Sequence, residues 1–389
     1  MAIRERLSGN EAVAYAIKQI NPDVMPAFPI TPSTEIPQYV SNYIANGEID
    51  TEFIPVESEH SSMSATLGAS AAGARALTAT SSCGMALMWE ELYVAASNRL
   101  PVVLALVNRA LSGPININCD HSDSMGARDS GWIQIYAENN QEAYDNFLQA
   151  YRISEHKDVM LPVMICQDGF ITSHAVENIE LIEDDKVKDF VGEYNPENYL
   201  LNASQPIAVG PYAVSNYYME TKRGQRQAMI NAKDVILEVG KEFGEMSGRS
   251  YGFYEGYALE DADYVMVIMG SAAGTTKDAV DNLRAQGKKV GMLKVRVFRP
   301  FPAKELAAAL KNAKAIAIMD RTDSFSGEGG PLGTELTTAL FHAKSTAKVV
   351  NYFYGLGGRD FRVENAEAVF EEIATKEDIE QYQYIGLRQ

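Results

Sequence analysis

Short apolar runs alternate with amphipathic stretches along most of the chain. The runs at 53–56, 76–80, 102–107 and 162–166 have the length of buried strands. The run at 102–107 is apolar throughout, as expected for a strand that is covered on both faces. The stretch at 140–155 has apolar residues at helical spacing on one side. This alternation predicts a doubly wound parallel-sheet domain of the α/β class.

The same alternation returns near the C-terminus. Apolar runs at 264–269, 290–295 and 315–319 read as strands, and 275–286 reads as a helix that follows the first of them. They predict a second, smaller α/β domain. Because a chain of 389 residues is too long for one ordinary core, two domains are also expected from its length.

The stretch between these two regions differs in composition. Residues 178–255 are polar, rich in tyrosine and poor in strand patterns, and 225–248 looks like a helix that ends at a glycine. We interpret the stretch as a connector. The predicted domains are therefore 1–245, which includes most of this connector, and 255–389.

Two carboxylates follow the first predicted strand. Glu57 and Glu59 come directly after the apolar run and before a stretch of small residues that suits a tightly packed helix. Open α/β sheets bind ligands at the carboxyl ends of their strands. One of these two acids is therefore a candidate functional group.

A proline-flanked loop precedes that strand. Pro29 and Pro32 prevent a continuous helix and hold Thr31 on a stiff segment. Ser33 or Thr34 is expected to cap a helix over 35–46. The loop has two interpretations, a rigid turn without a ligand or a site that presents the Thr31 hydroxyl.

Arg109 ends the predicted strand at 102–107. Arginine binds carboxylates through two parallel hydrogen bonds, so Arg109 is a candidate clamp for an anionic substrate. The alternative is an ordinary arginine at the surface or at a domain interface.

Two further patterns give only weak evidence for a ligand site. The long loop at 111–132 contains Asp120, His121 and Asp123, whose spacing matches no metal motif, and we expect a hydrogen-bonded loop instead. The turn at Gly270–Gly274 lacks the full glycine pattern of a dinucleotide site, which favours close packing of a strand and a helix.

Composition and charge argue against several classes of partner and of metal site. Fifty-two acids against 34 bases give a net charge of −18, which argues against nucleic acid or an anionic membrane as the main partner. Cys83, Cys119 and Cys166 are far apart, so we expect no iron–sulfur cluster, no structural zinc and no disulfide framework. We see no signal peptide and no apolar run of membrane-spanning length, and we expect a cytoplasmic protein.

An acid, a cation and a hydroxyl at one edge of a sheet can hold a small oxo acid. They cannot cleave a carbon–carbon bond alone, because the carbanion left by decarboxylation needs an electron sink, and thiamine diphosphate is one such sink.

Several motifs resemble one family in the expected order, over nearly the whole chain. The sequence is similar to the α subunit of the 2-oxoacid:ferredoxin oxidoreductases, and most of all to the multi-subunit pyruvate enzymes. The motifs are Phe28–Ser33, Val56–Glu59, Gly73–Ser81, Asn108–Pro114, Asp120–Asp123 and Gln167–His174.

The resemblance implies a fold and a set of roles. The first domain would be a thiamine-enzyme pyrimidine domain, and the second would resemble the transketolase C-terminal domain. Glu59 would hydrogen-bond the aminopyrimidine of thiamine diphosphate, with Glu57 as the alternative. Thr31 and Arg109 would hold the 2-oxoacid, and Pro29 would line the thiamine pocket. Cys83 stands where relatives commonly have another residue, so no role follows, and a buried apolar cysteine is expected.

The resemblance also implies partners. This chain has no GDG…N motif for Mg²⁺ and diphosphate, and it lacks cysteines for [4Fe–4S] clusters. Both would come from β-, γ- and δ-type subunits. The complex would convert pyruvate and CoA reversibly to acetyl-CoA, CO₂ and reduced ferredoxin, and this chain alone would be inactive.

Three alternatives stay open. The complex could act on 2-oxoisovalerate or 2-oxoglutarate, the chain could be a non-catalytic scaffold, or it could be a nicotinamide oxidoreductase that uses Gly270–Gly274.

Overall fold

The computed structural model describes residues 3–388. The strands are β1 (Ile3–Ser8), β2 (Val24–Ala27), β3 (Glu52–Pro55), β4 (Leu77–Thr80), β5 (Val103–Asn108), β6 (Ile133–Tyr136), β7 (Val163–Asp168), β8 (Val176–Leu181), β9 (Tyr254–Tyr257), β10 (Tyr264–Ile268), β11 (Val290–Val295), β12 (Val297–Arg299), β13 (Ala315–Asp320), β14 (Lys348–Phe353) and β15 (Tyr382–Tyr384).

The α-helices are α1 (Gly9–Ile20), α2 (Glu35–Ala45), α3 (Glu59–Ala72), α4 (Ser82–Leu87), α5 (Trp89–Ser97), α6 (Ser122–Gly126), α7 (Asn140–Ser154), α8 (Asp184–Val191), α9 (Ser215–Ser247), α10 (Ala272–Ala285), α11 (Ala303–Ala309), α12 (Pro331–His342) and α13 (Val363–Thr375). None of the helices in residues 3–388 combines the length and the apolar character that a membrane span requires.

The N-terminal half forms a mostly parallel sheet in the order β12-β6-β7-β5-β4. A bridge between Val24 and Ala76 joins β4 to the parallel pair β2-β3. Each strand that the hydrophobic pattern predicted in this half appears within one or two residues of its predicted position. The predicted α/β class is confirmed.

Strand β5 shows why this sheet is covered on both faces. Val103, Ala105 and Val107 enter a core formed with α1, α2, α7 and α9, while Leu104 and Leu106 enter a second core on the opposite face. Successive side chains of a strand point to opposite faces, so an uninterrupted apolar run is what two cores require.

The C-terminal half forms a six-stranded sheet in the order β15-β14-β13-β10-β11-β9. Val265 and Val267 of β10 share the second core with the N-terminal sheet, and Met266 and Ile268 face a third core under α10 and α13. The two sheets therefore lie on either side of one common apolar layer.

The start of α1 is capped by a reciprocal pair of hydrogen bonds. The Ser8 hydroxyl accepts from the Glu11 backbone N–H over 3.2 Å, and the Glu11 carboxylate accepts from the Ser8 backbone N–H over 2.7 Å. This reciprocal pair satisfies two N–H groups that a helix terminus leaves free.

The cap predicted for α2 is different. Thr34 occupies the cap position but makes no side-chain capping bond, and the Ser33 hydroxyl donates instead to the Ile30 carbonyl over 2.8 Å. The prediction that one of these hydroxyls caps α2 is therefore wrong, because Ser33 closes the preceding turn.

The connector has more structure than its composition indicated. It contains β8, α8 and the 33-residue helix α9, which begins at Ser215 rather than at the predicted 225. Strand β8 pairs antiparallel with β1, more than 160 residues away. Pairing of this kind cannot be seen in local periodicity. The predicted boundaries near 245 and 255 stay predictions.

One strand crosses between the two halves. Strand β12 follows β11 in sequence but pairs antiparallel with β6, at the edge of the N-terminal sheet. The C-terminal half thus supplies the edge strand of the N-terminal sheet.

Candidate active site

Glu59 is the first residue of α3, directly after β3. Its side chain is only 7% exposed, yet no residue in the described part of the chain donates a hydrogen bond to its carboxylate. The preceding cap is filled by Ser58, whose hydroxyl accepts from the Ser61 backbone N–H over 3.2 Å. Neither carboxylate oxygen is fully enclosed, so this group is available to a ligand that can donate a hydrogen bond.

Gly84 on α4 makes room for this carboxylate. A Cβ at position 84 would lie 2.8 Å from Glu59 Oε1 and 2.3 Å from the hydroxyl oxygen of Thr80. The Thr80 hydroxyl is itself buried without a hydrogen-bond partner. Only glycine allows this close approach between the end of β4 and the start of α3.

Glu57 has a different environment. Its side chain is exposed, and its carboxylate accepts a short hydrogen bond from the Ser61 hydroxyl. This bond lowers the pKa of Glu57 below its ordinary value. Of the two candidate acids, Glu59 alone is buried and without a partner among the described residues.

Arg109 follows β5 and is 7% exposed. Its Nη1 donates to the Thr31 carbonyl over 3.0 Å, and its Nε donates to the Asn116 carbonyl over 3.1 Å. Its Nη2 has no partner in the described part of the chain. The guanidinium is thus held in place by two loops and keeps donors for an anionic ligand.

One side of the loop at 29–34 is bonded to and packed against the rest of the chain, and its other side is exposed to solvent. Asn10 Nδ2 donates to the Pro32 carbonyl over 2.8 Å, and Pro32 packs closely against Gly169, where an added Cβ would lie 2.8 Å from its ring. Thr31 and Pro29 are both exposed. Arg109 and Thr31 are therefore in direct contact, and Pro29 lies two residues from that contact.

Asp123 joins the Glu59 region to Arg109. Its Oδ2 accepts from the Ser82 backbone N–H over 2.9 Å and from the Arg109 backbone N–H over 3.0 Å. Burial raises the pKa of Asp123 to about 6, against these bonds. Because α4 carries both Ser82 and Gly84, this carboxylate ties the turn beside Glu59 to the end of β5.

The loop at 111–132 has the hydrogen-bonded interior that the sequence predicted. Asp120 accepts from the Ser122 backbone N–H over 2.9 Å and from the Gly357 backbone N–H over 3.2 Å. Through the second bond the loop is also attached to the C-terminal half. The sequence left Asp123 within this loop without indicating that it would contact Arg109.

The turn at Gly270 binds a carboxylate of the same chain. Asp168, the last residue of β7, accepts from the Ser271 backbone N–H over 2.9 Å and from Arg321 Nη1 over 2.8 Å, and it lies 2.7 Å from His121 Nε2. Burial raises the pKa of Asp168, but Arg321 and His121 outweigh it and hold the pKa well below the usual range. A Cβ at Gly270 would lie 2.8 Å from Asp168 Oδ2. The turn is therefore filled, which removes the site on which the nicotinamide alternative depends.

Cys83 does not have the buried apolar surroundings that were expected. It is partly exposed on the first turn of α4, with its sulfur 3.1 Å from the Ser112 hydroxyl oxygen. This hydrogen bond lowers the pKa of the thiol, and the Arg109 charge contributes in the same direction. The expectation of a buried apolar cysteine is wrong, because Cys83 is partly exposed and its sulfur has a polar partner.

Comparisons with known proteins identify the family. The family model described as pyruvate flavodoxin/ferredoxin oxidoreductase, thiamine diphosphate-binding, matches residues 15–241. A second model, the pyruvate:ferredoxin oxidoreductase core domain II, matches residues 262–366.

Curated relatives match over almost the whole chain. Pyruvate synthase subunit PorA of Thermotoga maritima is 51% identical over 99% of this chain and 98% of its own length. The PorA subunit of Methanocaldococcus jannaschii is 46% identical, with 98% of each chain covered. Ketoisovalerate oxidoreductase subunit VorA of Pyrococcus horikoshii is 47% identical over 95% of this chain and 94% of its own.

Solved structures show the same fold. The 2-oxoglutarate:ferredoxin oxidoreductase of Magnetococcus marinus superposes with a TM-score of 0.73 at 20% identity, covering 96% of this chain and 65% of that one. A split-gene transketolase superposes with a TM-score of 0.55 at 12% identity, covering 95% and 99%. The predicted resemblance is confirmed, and the chain belongs to the pyruvate flavodoxin/ferredoxin oxidoreductase family.

Proposed function

We propose that this chain supplies the acid and the substrate clamp of a thiamine-dependent 2-oxoacid:ferredoxin oxidoreductase, with pyruvate as its oxoacid. The observation that carries the proposal is the carboxylate of Glu59, a residue only 7% exposed, without a partner among the described residues. It lies beside α4, and Asp123 binds the backbone N–H groups of both Ser82 on α4 and Arg109.

The residues present fit one half of a thiamine site. Gly84 leaves room for the Glu59 side chain itself, which holds its carboxylate against α4. With no partner among the described residues, that carboxylate would accept a hydrogen bond from the coenzyme ring. When bound, thiamine diphosphate supplies the electron sink for decarboxylation. Glu59 would act by holding a proton at the pyrimidine ring nitrogen, which is general acid–base work done through the coenzyme.

Arg109 and Thr31 would hold the substrate. The free Nη2 of Arg109 would bind the carboxylate of the oxoacid in the partly buried site, where charge-assisted hydrogen bonds are strong. The exposed Thr31 hydroxyl would donate to an oxygen of the substrate. Because Nη1 already binds the Thr31 carbonyl, the two groups would be held at a constant separation.

The other half of the site would come from partners. The sequence has no GDG…N motif and its three cysteines are widely separated, so Mg²⁺, the diphosphate contacts and the [4Fe–4S] clusters would belong to β-, γ- and δ-type subunits. Ferredoxin would carry the electrons, CoA would accept the acetyl group, and the complex would lie in the cytoplasm.

A second oxoacid has a specific observation in its favour. The ketoisovalerate oxidoreductase subunit VorA is 47% identical to this chain. This identity lies within the 45–51% range of the pyruvate synthase relatives. Overall identity therefore does not separate pyruvate from 2-oxoisovalerate.

The test is to purify the chain with and without its native partners. Oxoacid-dependent dye reduction with CoA should need the complex, and kcat/KM should be highest for pyruvate among pyruvate, 2-oxoisovalerate and 2-oxoglutarate. Turnover by the chain alone, or activity on none of the three, would refute the proposal.

A further inference from the structure

A pocket far from Glu59 in the chain gathers positive charge in a protein that is strongly acidic. Arg128, Lys222, Arg226 and Arg299 line a cavity of about 220 Å³, and we call these four residues the basic pocket. The lining contains one acid, Asp129. With 52 acids and 34 bases in the whole chain, four bases against one acid at a single cavity is contrary to the overall balance.

Three separate segments form the basic pocket. Arg128 follows α6, Lys222 and Arg226 lie on α9, and Arg299 ends β12, the strand that the C-terminal half contributes to the N-terminal sheet. The cluster therefore depends on the tertiary fold, not on a basic stretch of sequence.

Helix α9 directs one face to this cavity. Lys222, Gln225, Arg226 and Met229 have the spacing of a single helical face, and all four line the cavity. Like charges four residues apart destabilise a helix by a few tenths of a kcal/mol. Lys222 and Arg226 lie on the same face and line the cavity with Arg128 and Arg299. Together these charges favour an anion there.

The partners of the four cations leave two positive charges uncompensated. Arg299 is paired with Glu335, 2.6 Å away, and it also lies 3.7 Å from the exposed Asp129, which is 3.9 Å from Arg128. Lys222 donates only to the neutral side chain of Gln225. Arg226 has no hydrogen bond or ion pair within residues 3–388.

The framework of the pocket is fixed although its charges are not neutralised. Arg299 Nε donates to the Arg128 carbonyl over 2.9 Å, and Arg128 Nη1 donates to the Met125 carbonyl over 2.9 Å. Gln225 is buried against Gly131, where an added Cβ would lie 2.2 Å from its Nε2. Arg128 and Arg299 are therefore held in place and lose little entropy when an anion binds, whereas the exposed Arg226 becomes ordered only on binding.

We propose that the basic pocket binds a di- or triphosphate group of a small molecule. This site is separate from the candidate active site at Glu59 and Arg109, and the proposal does not depend on the function proposed for that site. Two uncompensated cations suit a ligand with at least two neighbouring negative charges, and arginine forks match phosphate oxygens. The cavity has room for roughly seven waters at about 30 Å³ each. It therefore accommodates a diphosphate and leaves an attached organic group outside.

Isothermal titration of the full-length chain tests the site, with inorganic pyrophosphate, adenosine 3′,5′-bisphosphate, CoA and ATP as probes. Pyrophosphate should bind saturably and more weakly as salt rises, and Arg226→Gln or Lys222→Gln should weaken it about tenfold. Arg223→Gln is the matched control, because Arg223 lies on the same helix but bonds Gln227 instead. It should leave the affinity unchanged.

The organic probes separate the sources of the phosphate group. Tighter binding of CoA than of pyrophosphate would identify a phosphorylated coenzyme, and tighter binding of ATP would identify a nucleotide. Absence of saturable binding of all four probes, or equal weakening by Arg223→Gln, would overturn the proposal.

Discussion

Arg109 donates a hydrogen bond through Nη1 to the backbone carbonyl of Thr31 over 3.0 Å. The cation from the end of β5 and the hydroxyl from the proline-flanked loop are therefore parts of one unit, although 78 residues separate them. Because the bond uses the Thr31 backbone, the Thr31 side chain can be changed without breaking it. This separation of roles makes the two residues testable one at a time.

Replacing Arg109 should act mainly on substrate affinity. In the assembled complex, Arg109→Ala removes the proposed carboxylate clamp, and the loss of a partner from a buried charge pair costs about 2–5 kcal/mol. The KM for pyruvate should rise by about two orders of magnitude, with a smaller change in kcat.

Arg109→Lys is the control for a folding defect, because it keeps the positive charge but loses the parallel N–H donors of the guanidinium. It should still raise KM, and thermal unfolding should show that the complex remains intact. An unchanged KM in both variants would contradict the clamp.

Replacing the Thr31 hydroxyl should have a smaller effect. Thr31→Val keeps the shape and the backbone carbonyl but removes one hydrogen bond, so kcat/KM should fall about tenfold. Thr34→Val is the control, because Thr34 makes no side-chain cap bond. Steady-state kinetics that show equal effects of the two substitutions would exclude a role for the Thr31 hydroxyl.

Adding one methyl group at Gly84 should disturb Glu59. The new Cβ would lie 2.8 Å from Glu59 Oε1 and 2.3 Å from Thr80 Oγ1, and overpacking of this kind costs about 1–3 kcal/mol. Gly84→Ala should lower both the melting temperature and the turnover of the complex.

Gly68→Ala is the matched control for Gly84. Gly68 lies on α3, and a Cβ there would meet no atom within 4 Å. The substitution should stabilise the chain by roughly 0.5–1 kcal/mol, because alanine is the better helix former. Calorimetry of both variants checks the contrast, and equal destabilisation would show that the space beside Glu59 has no special role.

The Asp168–Arg321 pair should contribute stability that depends on pH. Asp168 has a folded-state pKa well below its unfolded value of about 3.9. Its contribution is therefore fully present above that value, begins to decline as the pH falls below it, and is lost only as the pH falls through the folded-state pKa. At pH 7, Asp168→Asn should lower the free energy of unfolding by about 3–5 kcal/mol, because it leaves Arg321 buried without a full partner.

Asp360→Asn gives the comparison for that pair. Asp360 pairs with Arg362 over 3.4 Å, and both side chains are more than 70% exposed, so the cost should stay within about 1 kcal/mol. Urea unfolding at pH 7 and near pH 3 measures both variants. A large Asp168 effect that persists unchanged at low pH would contradict the assignment.

Local patterns predicted the strands but not all of their partners. The run at 102–107 is apolar at every position, and both faces of β5 are buried, so periodicity was sufficient there. Strand β12 and the β1–β8 pair depend on contacts between distant segments, which local periodicity does not contain. The sequence predicted a helix only from residue 225 for a different reason: the first turns of α9 bury no apolar face.

The candidate site shows a similar division. Strand ends and motif resemblance singled out Glu59, Arg109, Thr31 and Pro29, because chemistry at strand ends has a local signature. Asp123 lay in a motif of the resemblance but without a role, and Gly84 had no role in the sequence interpretation. Their importance comes from close approaches between α4, α6 and β5 that exist only in the folded chain.

The most direct test of the account is hydrogen–deuterium exchange at C2 of thiamine diphosphate bound to the assembled complex, for Glu59→Gln and for Glu57→Gln. If Glu59 performs acid–base work through the coenzyme, its substitution should slow exchange by about 10²–10⁴-fold, while Glu57→Gln should leave the rate unchanged. A Glu59→Gln complex that binds the coenzyme and exchanges at the wild-type rate would contradict the central claim.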